Sequence, residues 1–351
     1  MGQYASLDKE DDEIVKEVEE GENDFLRCAS NNIKSWKRLN LNALISKLSQ
    51  GEENNFDIFC IIDGNKGNEV TKFIQNHFVD ELLNEIKLKK DIKEAIKESF
   101  LKMNKLMEGK AGMKEILDLK KKNNEEEMNN YKNIINDDLK DNKNELNEED
   151  KKEKNEVKLP EEENNIEEEI NIFEEEDKEI LDYTGCTLCL LLINTKSNKI
   201  YFGNIGNSQV YIYKKDNITE MKSSHKPNEP TEKTRISNNS LIINNKLFVV
   251  LSSARAFGNF AYRNLIIDEP DIQEYDINIE DKYIFIANES IVNIYTKENI
   301  KELIEKIDEN TSLKEILTNI LDNKISKYFY NNNTKIGFDN MTCTLIKIKK
   351  E

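Results

Sequence analysis

Cysteine is scarce and odd in number: Cys28, Cys60, Cys186, Cys189 and Cys343 are the five in the chain. Most lie inside apolar runs, which excludes a disulfide framework and fits reduced core thiols in a cytoplasmic protein. Cys186 and Cys189 form a CxxC within the strand-like run CTLCLLLI. With no second pair, they cannot make a zinc site. Histidine is scarcer still, at two. His77 falls on the apolar face of a helix and reads as a packed core residue, while His225 follows a turn. Neither has the Cys or Ser partner spacing that nucleophilic catalysis requires. No glycine-rich nucleotide-binding loop is present. No apolar run approaches the ~20 residues of a membrane-spanning helix, and no signal peptide is recognisable.

Positive charge is also in deficit. Lys and Arg number 51 against 69 Asp and Glu, for a formal net charge of -18. That balance disfavours nucleic acid and anionic membrane surfaces as partners. Hydrophobic residues make up 37% and charged residues 34%, so part of the chain is expected not to pack. Residues 121–180 carry 23 acidic against 10 basic residues. They read as a disordered, self-repelling acidic insertion that serves as a solvated spacer. Residues 1–26 read as a flexible acidic arm. The arm opens MGQYAS, where Met1, Gly2 and Ser6 match the N-myristoylation pattern. A peripheral membrane contact through N-myristoyl Gly2 is therefore an expectation. One acyl chain anchors only marginally, and no polybasic second signal follows it.

The organising stretch is Phe56 to Phe73, FDIFCIIDGNKGNEVTKF. Phe59-Cys60-Ile61-Ile62 reads as a strand buried on both faces. It stops at Asp63-Gly64, a carboxylate and a glycine placed where a metal or phosphate could be held. Gly67 and Asn68 open a helix whose apolar residues Val70, Phe73, Ile74, Phe78 and Leu82 recur at helical spacing. A second helix is predicted over 91–107. After the insertion come strands at 184–194, 199–204 and 209–213, then one or two within 241–251 and another at 282–287. Helices over 297–307 and 312–325 precede a closing strand at 341–348. Antiparallel strand runs with helices clustered between them indicate an α+β fold with two sheets and helices outside.

The motifs in this order are SWK (35–37), FCIIDGNKG (59–67), TGCT (184–187), GNIGNSQ (203–209), HKP (225–227) with Glu232 and Arg235, ARAFGN (254–259), EPDI (269–272), IANESIVN (286–293) and GFDNMT (337–342). Together they resemble the PP2C (PPM-type) metal-dependent protein Ser/Thr phosphatases across residues 27–350, apart from the insertion. The resemblance implies a β-sandwich flanked by helices, with the active site in the cleft between the sheets. It also implies two Mg²⁺ or Mn²⁺ ions that share carboxylates and activate a water toward phosphorus. His225 would then support structure or substrate binding.

The chain departs from that pattern at the positions that carry the chemistry. Against the family, Leu41 and Asn42 fall where a Glu-Asp pair stands, and Lys37 replaces a phosphate-binding arginine, a point charge for a bidentate fork. Asn65 replaces the histidine proposed as general acid, and an amide cannot protonate a leaving alkoxide. Asn207 and Asn259 replace aspartates, Gln209 an arginine, Glu289 a metal-binding aspartate, Ser290 its glycine, and Asn293 a further aspartate. Asp63, Gly64, Glu289 and Asp339 remain as a residual set for at most one weakly held Mg²⁺ or Mn²⁺. The expectation is a pseudophosphatase that binds a protein partner or phosphoprotein. The alternatives are a slow Mn²⁺-dependent phosphatase and a membrane-peripheral scaffold.

Overall fold

The computed structural model describes residues 18–33, 40–53, 55–89, 91–125, 180–236, 242–243, 246–247, 251–305, 311–328 and 340–349. The proposed acceptor Gly2, the pair Trp36-Lys37, Asp339 and residues 126–179 lie outside them.

Two antiparallel sheets face each other. The first has the strand order β1-β2-β14-β13-β7-β8. Its strands are β1 (Val18–Glu22), β2 (Leu26–Ile33), β7 (Gln209–Lys214), β8 (Ile218–Met221), β13 (Asp281–Ala287) and β14 (Met341–Ile348). The second has the order β12-β6-β5-β4-β3, with β11 beside β5. Its strands are β3 (Ala43–Gln50), β4 (Phe56–Asn65), β5 (Gly185–Asn194), β6 (Lys199–Ile205), β11 (Phe257–Gly258) and β12 (Asp271–Asp276). A small ribbon joins β9 (Ile242–Ile243) to β10 (Lys246–Leu247).

The continuous apolar runs reflect three stacked cores. Successive strand side chains point to opposite faces, so β4 sends Phe59 and Ile61 into the layer between the sheets. It sends Ile58, Cys60 and Ile62 to the outer face, where α1 (Glu69–Leu88) and α2 (Ile92–Glu108) cover them. In β5, Cys189, Leu191 and Ile193 face the inter-sheet layer, while Cys186, Leu188, Leu190 and Leu192 face these helices. Cys186 and Cys189 therefore sit on opposite faces of one strand and cannot chelate together. On the first sheet, Ile284 and Ile286 of β13 face inward. Phe285 and Ala287 face outward beneath the helices Lys297–Glu305 and Leu313–Tyr328.

Three expectations need correction. The acidic arm is not wholly flexible, because Val18–Glu22 pairs with Arg27–Asn31 as an edge strand. Main-chain pairing needs no apolar side chains, and Glu22 is met by Arg27 (2.9 Å) and Lys349 (2.6 Å). The helix that begins at residue 110 runs to 125, into the stretch read as insertion. Asn123 on its last turn is 2% exposed and donates to Asn68 Oδ1 at 2.6 Å. His77 is not a core residue: its ring is 40% exposed and meets Glu115 of the helix over 110–125 at 2.7 Å.

One buried network fixes the wall beside the sheets. Burial alone would raise the Glu232 carboxyl, but Arg255 and Arg235 outweigh it and hold it below its usual range. Glu232 meets Arg255 at 2.6 Å and Arg235 at 2.7 Å. Arg255 continues to Asp271 at 3.0 Å, and Asp271 accepts from Ser223 at 2.9 Å. His225 Nδ1 accepts the Gly206 N–H at 2.9 Å, so Nε2 is left to face Asp271 at 3.1 Å. The HKP, Glu232/Arg235, ARAFGN and EPDI motifs thus converge on a single structural knot. The hydrogen bond from His225, supported by the charge of Arg255 and the hydrogen bond from Ser223, holds Asp271 well below the usual carboxylate range.

Two outcomes follow for stability. Phe59 is fully buried between the sheets, so Phe59→Ala should cost about 3–5 kcal/mol in urea unfolding. The depressed Asp271 carboxyl stabilises the fold above the unfolded aspartate pKa of ~3.9, and that contribution fades as pH falls. Asp271→Asn should therefore lower stability at pH ~7 by about 1 kcal/mol, allowing for its partial exposure. The gap from the parent should start to narrow below pH ~4 and close only as pH falls through the depressed value of the folded carboxyl.

Candidate active-site cleft

The cleft lies where β4 of the second sheet ends against the end of β13 in the first. Its volume is about 280 Å³, with Asp63, Gly64, Asn65, Lys66, Asn207 and Glu289 among its walls. Asp63 and Gly64 are the last turn of β4, paired with Thr187 and Cys186 of β5. Glycine is required at position 64, since a Cβ there would lie 2.3 Å from the Leu41 carbonyl oxygen and 2.5 Å from Thr71 Oγ1. That close approach brings the β3 entry, the β4 end and α1 together at one point.

The site residues that fall within the described chain are brought together. Asp63, Gly64 and Glu289 share the cleft, with Leu41, Asn65, Asn207 and Asn259 on the same walls. Leu41, whose side chain is hydrocarbon, places its main-chain carbonyl against Gly64. Asn42 is buried and turned to other work: its Nδ2 donates to Asn340 O at 3.3 Å and Thr342 Oγ1 at 3.1 Å. Gln209 accepts from the Tyr211 hydroxyl. Asn259 is fully buried in left-handed backbone, φ 53°, with neither amide atom paired among the described residues.

Two cleft-side residues were missed from sequence. Asn288 is fully buried and ties the sheets together. Its Nδ2 donates to Asp63 Oδ2 (3.3 Å) and Asn340 O (2.8 Å), while its Oδ1 accepts from Thr342 N (3.2 Å). In an asparagine-rich chain, its position just before Glu289 gave no distinguishing signal. Lys226, in HKP, was read only as part of a motif. Its Nζ lies 2.7 Å from Glu289 Oε1, while Asn207 Nδ2 donates to Glu289 Oε2 at 2.7 Å. Both oxygens of Glu289 are thus engaged by side chains of the protein itself.

These contacts determine how the residues present suit a hard divalent cation. Such an ion needs several oxygen ligands, usually charged ones. Among the described residues, no group of three His, Cys, Asp or Glu side chains could hold a metal. The cleft sets Asp63 and Glu289 against Lys66, and Lys226 adds a second positive charge at Glu289. A divalent ion ~4 Å from that ammonium would be repelled by roughly 8 kcal/mol at an effective dielectric of about 20, unless the lysine swings away. The described donor set therefore does not match a two-ion centre. Burial, with a smaller push from the Asp63 charge, raises the nearby Cys186 thiol, which stays protonated and unreactive.

Comparison with known proteins places this geometry. The family model described as "Protein phosphatase 2C" matches residues 114–332. "Probable protein phosphatase 2C 2" of Paramecium tetraurelia is 24% identical, covering 100% of both chains. "Probable protein phosphatase 2C 21" of Arabidopsis thaliana is 25% identical over 100% of this chain and 93% of its own. The serine-threonine phosphatase 2C structure from Toxoplasma gondii superposes with a TM-score of 0.62 at 13% identity, covering 95% of this chain and 100% of that one. That similarity speaks for the fold, two antiparallel sheets flanked by helices. The family match takes in more than half of the sequence, and the chain belongs to the protein phosphatase 2C family.

Proposed function

We propose that this PP2C-fold protein is a pseudophosphatase, a scaffold that engages a protein partner or phosphoprotein through the cleft and its rim. The observation that carries this reading is the state of Glu289. One of the two carboxylates in the cleft is neutralised by Lys226 and capped by Asn207. Leu41 and the neutral amides Asn65 and Asn259 line the same walls, and none can supply a charged ligand or a proton at neutral pH. Exchange of Asp for Asn is nearly isosteric, so the fold is kept while the charge is lost.

A second reading has support in the same cleft, because Asp63 and Glu289 still face it together. Under it, Asp63, the Gly64 carbonyl, Glu289 and Asp339 hold one Mg²⁺ or Mn²⁺ weakly, and phosphate esters turn over slowly. The N-terminal pattern adds a peripheral membrane contact through N-myristoyl Gly2. Among the described residues, no helix is long and apolar enough to cross a membrane.

The deciding assay is p-nitrophenyl phosphate hydrolysis with and without millimolar Mn²⁺, beside Asp63→Ala. The expected result is a rate equal in parent and variant and indifferent to metal. Mn²⁺-stimulated turnover that Asp63→Ala removes would establish the second reading instead. For the lipid contact, Gly2→Ala should reduce membrane partition of the protein when it is expressed with an N-myristoyltransferase. An unchanged partition would rule that contact out.

A further inference from the structure

The first sheet has a second concavity at the end away from the cleft. β13 runs from Asp281 at this end to Ala287 beside the cleft, a span of ~20 Å at about 3.3 Å per residue. The pocket encloses about 770 Å³ between the sheet and the helix Lys297–Glu305. Tyr213 and Tyr283 line it, together with Ile304 and Ile348.

Its charge runs against that of the chain. Seven cationic side chains line it against two carboxylates, Glu22 and Glu305, in a protein of net charge -18. Some of the cations are taken. Arg27 and Lys349 share Glu22 at 2.9 and 2.6 Å, and Lys301 lies 3.6 Å from Glu305. Lys214 sits over the Tyr275 ring, 3.9 Å from the buried Asp281 carboxylate. The remaining Lys215, Lys282 and Lys347 come from three different strands or their ends. Among the described residues none of these three makes an ion pair, although Lys347 lies over the Tyr283 ring at 5.9 Å.

We propose that this pocket binds a phosphate monoester carried on a protein segment, with Lys215, Lys282 and Lys347 as its charge partners. A phosphate monoester brings a charge of about -1.5 to -2 and three acceptor oxygens. It can meet several ammonium groups at once, where a carboxylate offers one charge and two oxygens. A long polyanion such as nucleic acid would run past the pocket onto a surface with no excess of positive charge, since outside residues 121–180 the chain has 46 acidic residues against 41 basic, and would gain little there. The volume lies in the usual range of about 300–1,000 Å³ for compact ligands, which suits a phosphorylated side chain with its immediate neighbours. The inference does not rest on the state of the catalytic cleft, so it stands or falls apart from the pseudophosphatase reading.

The test is fluorescence anisotropy on the full-length protein with a labelled bis-phosphoserine peptide, its unphosphorylated twin and, as competitor, pyrophosphate. The phosphopeptide should bind and the twin should not. The combined Lys215→Gln, Lys282→Gln, Lys347→Gln variant should weaken binding about tenfold or more. Its melting temperature should match the parent's, so that a loss of binding is not a loss of fold. Pyrophosphate that matches the peptide in affinity, with the same dependence on these residues, would keep the phosphate site but assign it to free phosphate compounds. No binding of either probe, or equal binding by parent and lysine variant, would overturn the proposal.

Discussion

The structure depends on one constraint: its central strands are buried on both faces. A strand at the surface of a two-layer protein can alternate apolar with polar residues. Here α1 and α2 cover one sheet and the helices Lys297–Glu305 and Leu313–Tyr328 cover the other, so β4, β5 and β13 have no solvent side. Each must be apolar at every position along its middle. Polar residues are admitted only at the strand ends, and those ends are where both the cleft and the basic pocket lie. Chemistry is confined to the rims because the core has no room for it.

The cleft is notable for how it was neutralised. In a buried setting, a carboxylate needs a metal, a cation or several hydrogen bonds to offset its desolvation. At Glu289 a lysine and an asparagine fill that role, and at Asp63 the Asn288 amide takes part. Two amides bridge the sheets, Asn42 by donating to the Asn340 carbonyl and Asn288 by donating to the Asp63 carboxylate. The sandwich therefore closes over its cleft by neutral hydrogen bonding.

Much of this was legible in the residues. The strand boundaries at 341–348 and the helix begun by Asn68 follow from apolar periodicity, and periodicity survives any tertiary context that buries both faces. The edge strand Val18–Glu22 was not legible, because its pairing is made by main chain and its side chains are acidic. His77 was misplaced because its helical position borders the apolar face, while its partner Glu115 lies 38 residues away. Lys226 was invisible as a cleft residue for a similar reason. Nothing in HKP reveals that its ammonium meets a carboxylate 63 positions later in the sequence.

By itself, the sequence determined the fold class, the order of most strands and helices, and the burial of the cysteines inside apolar runs. Each of these is a property of residue type and local spacing. Only the tertiary structure decided that Glu289 is held by Lys226 and Asn207, that one ionic knot gathers four separate motifs, and that Lys215, Lys282 and Lys347 line one pocket. These are contacts across sheets and layers, and their energies depend on distance and burial, which spacing along the chain does not encode.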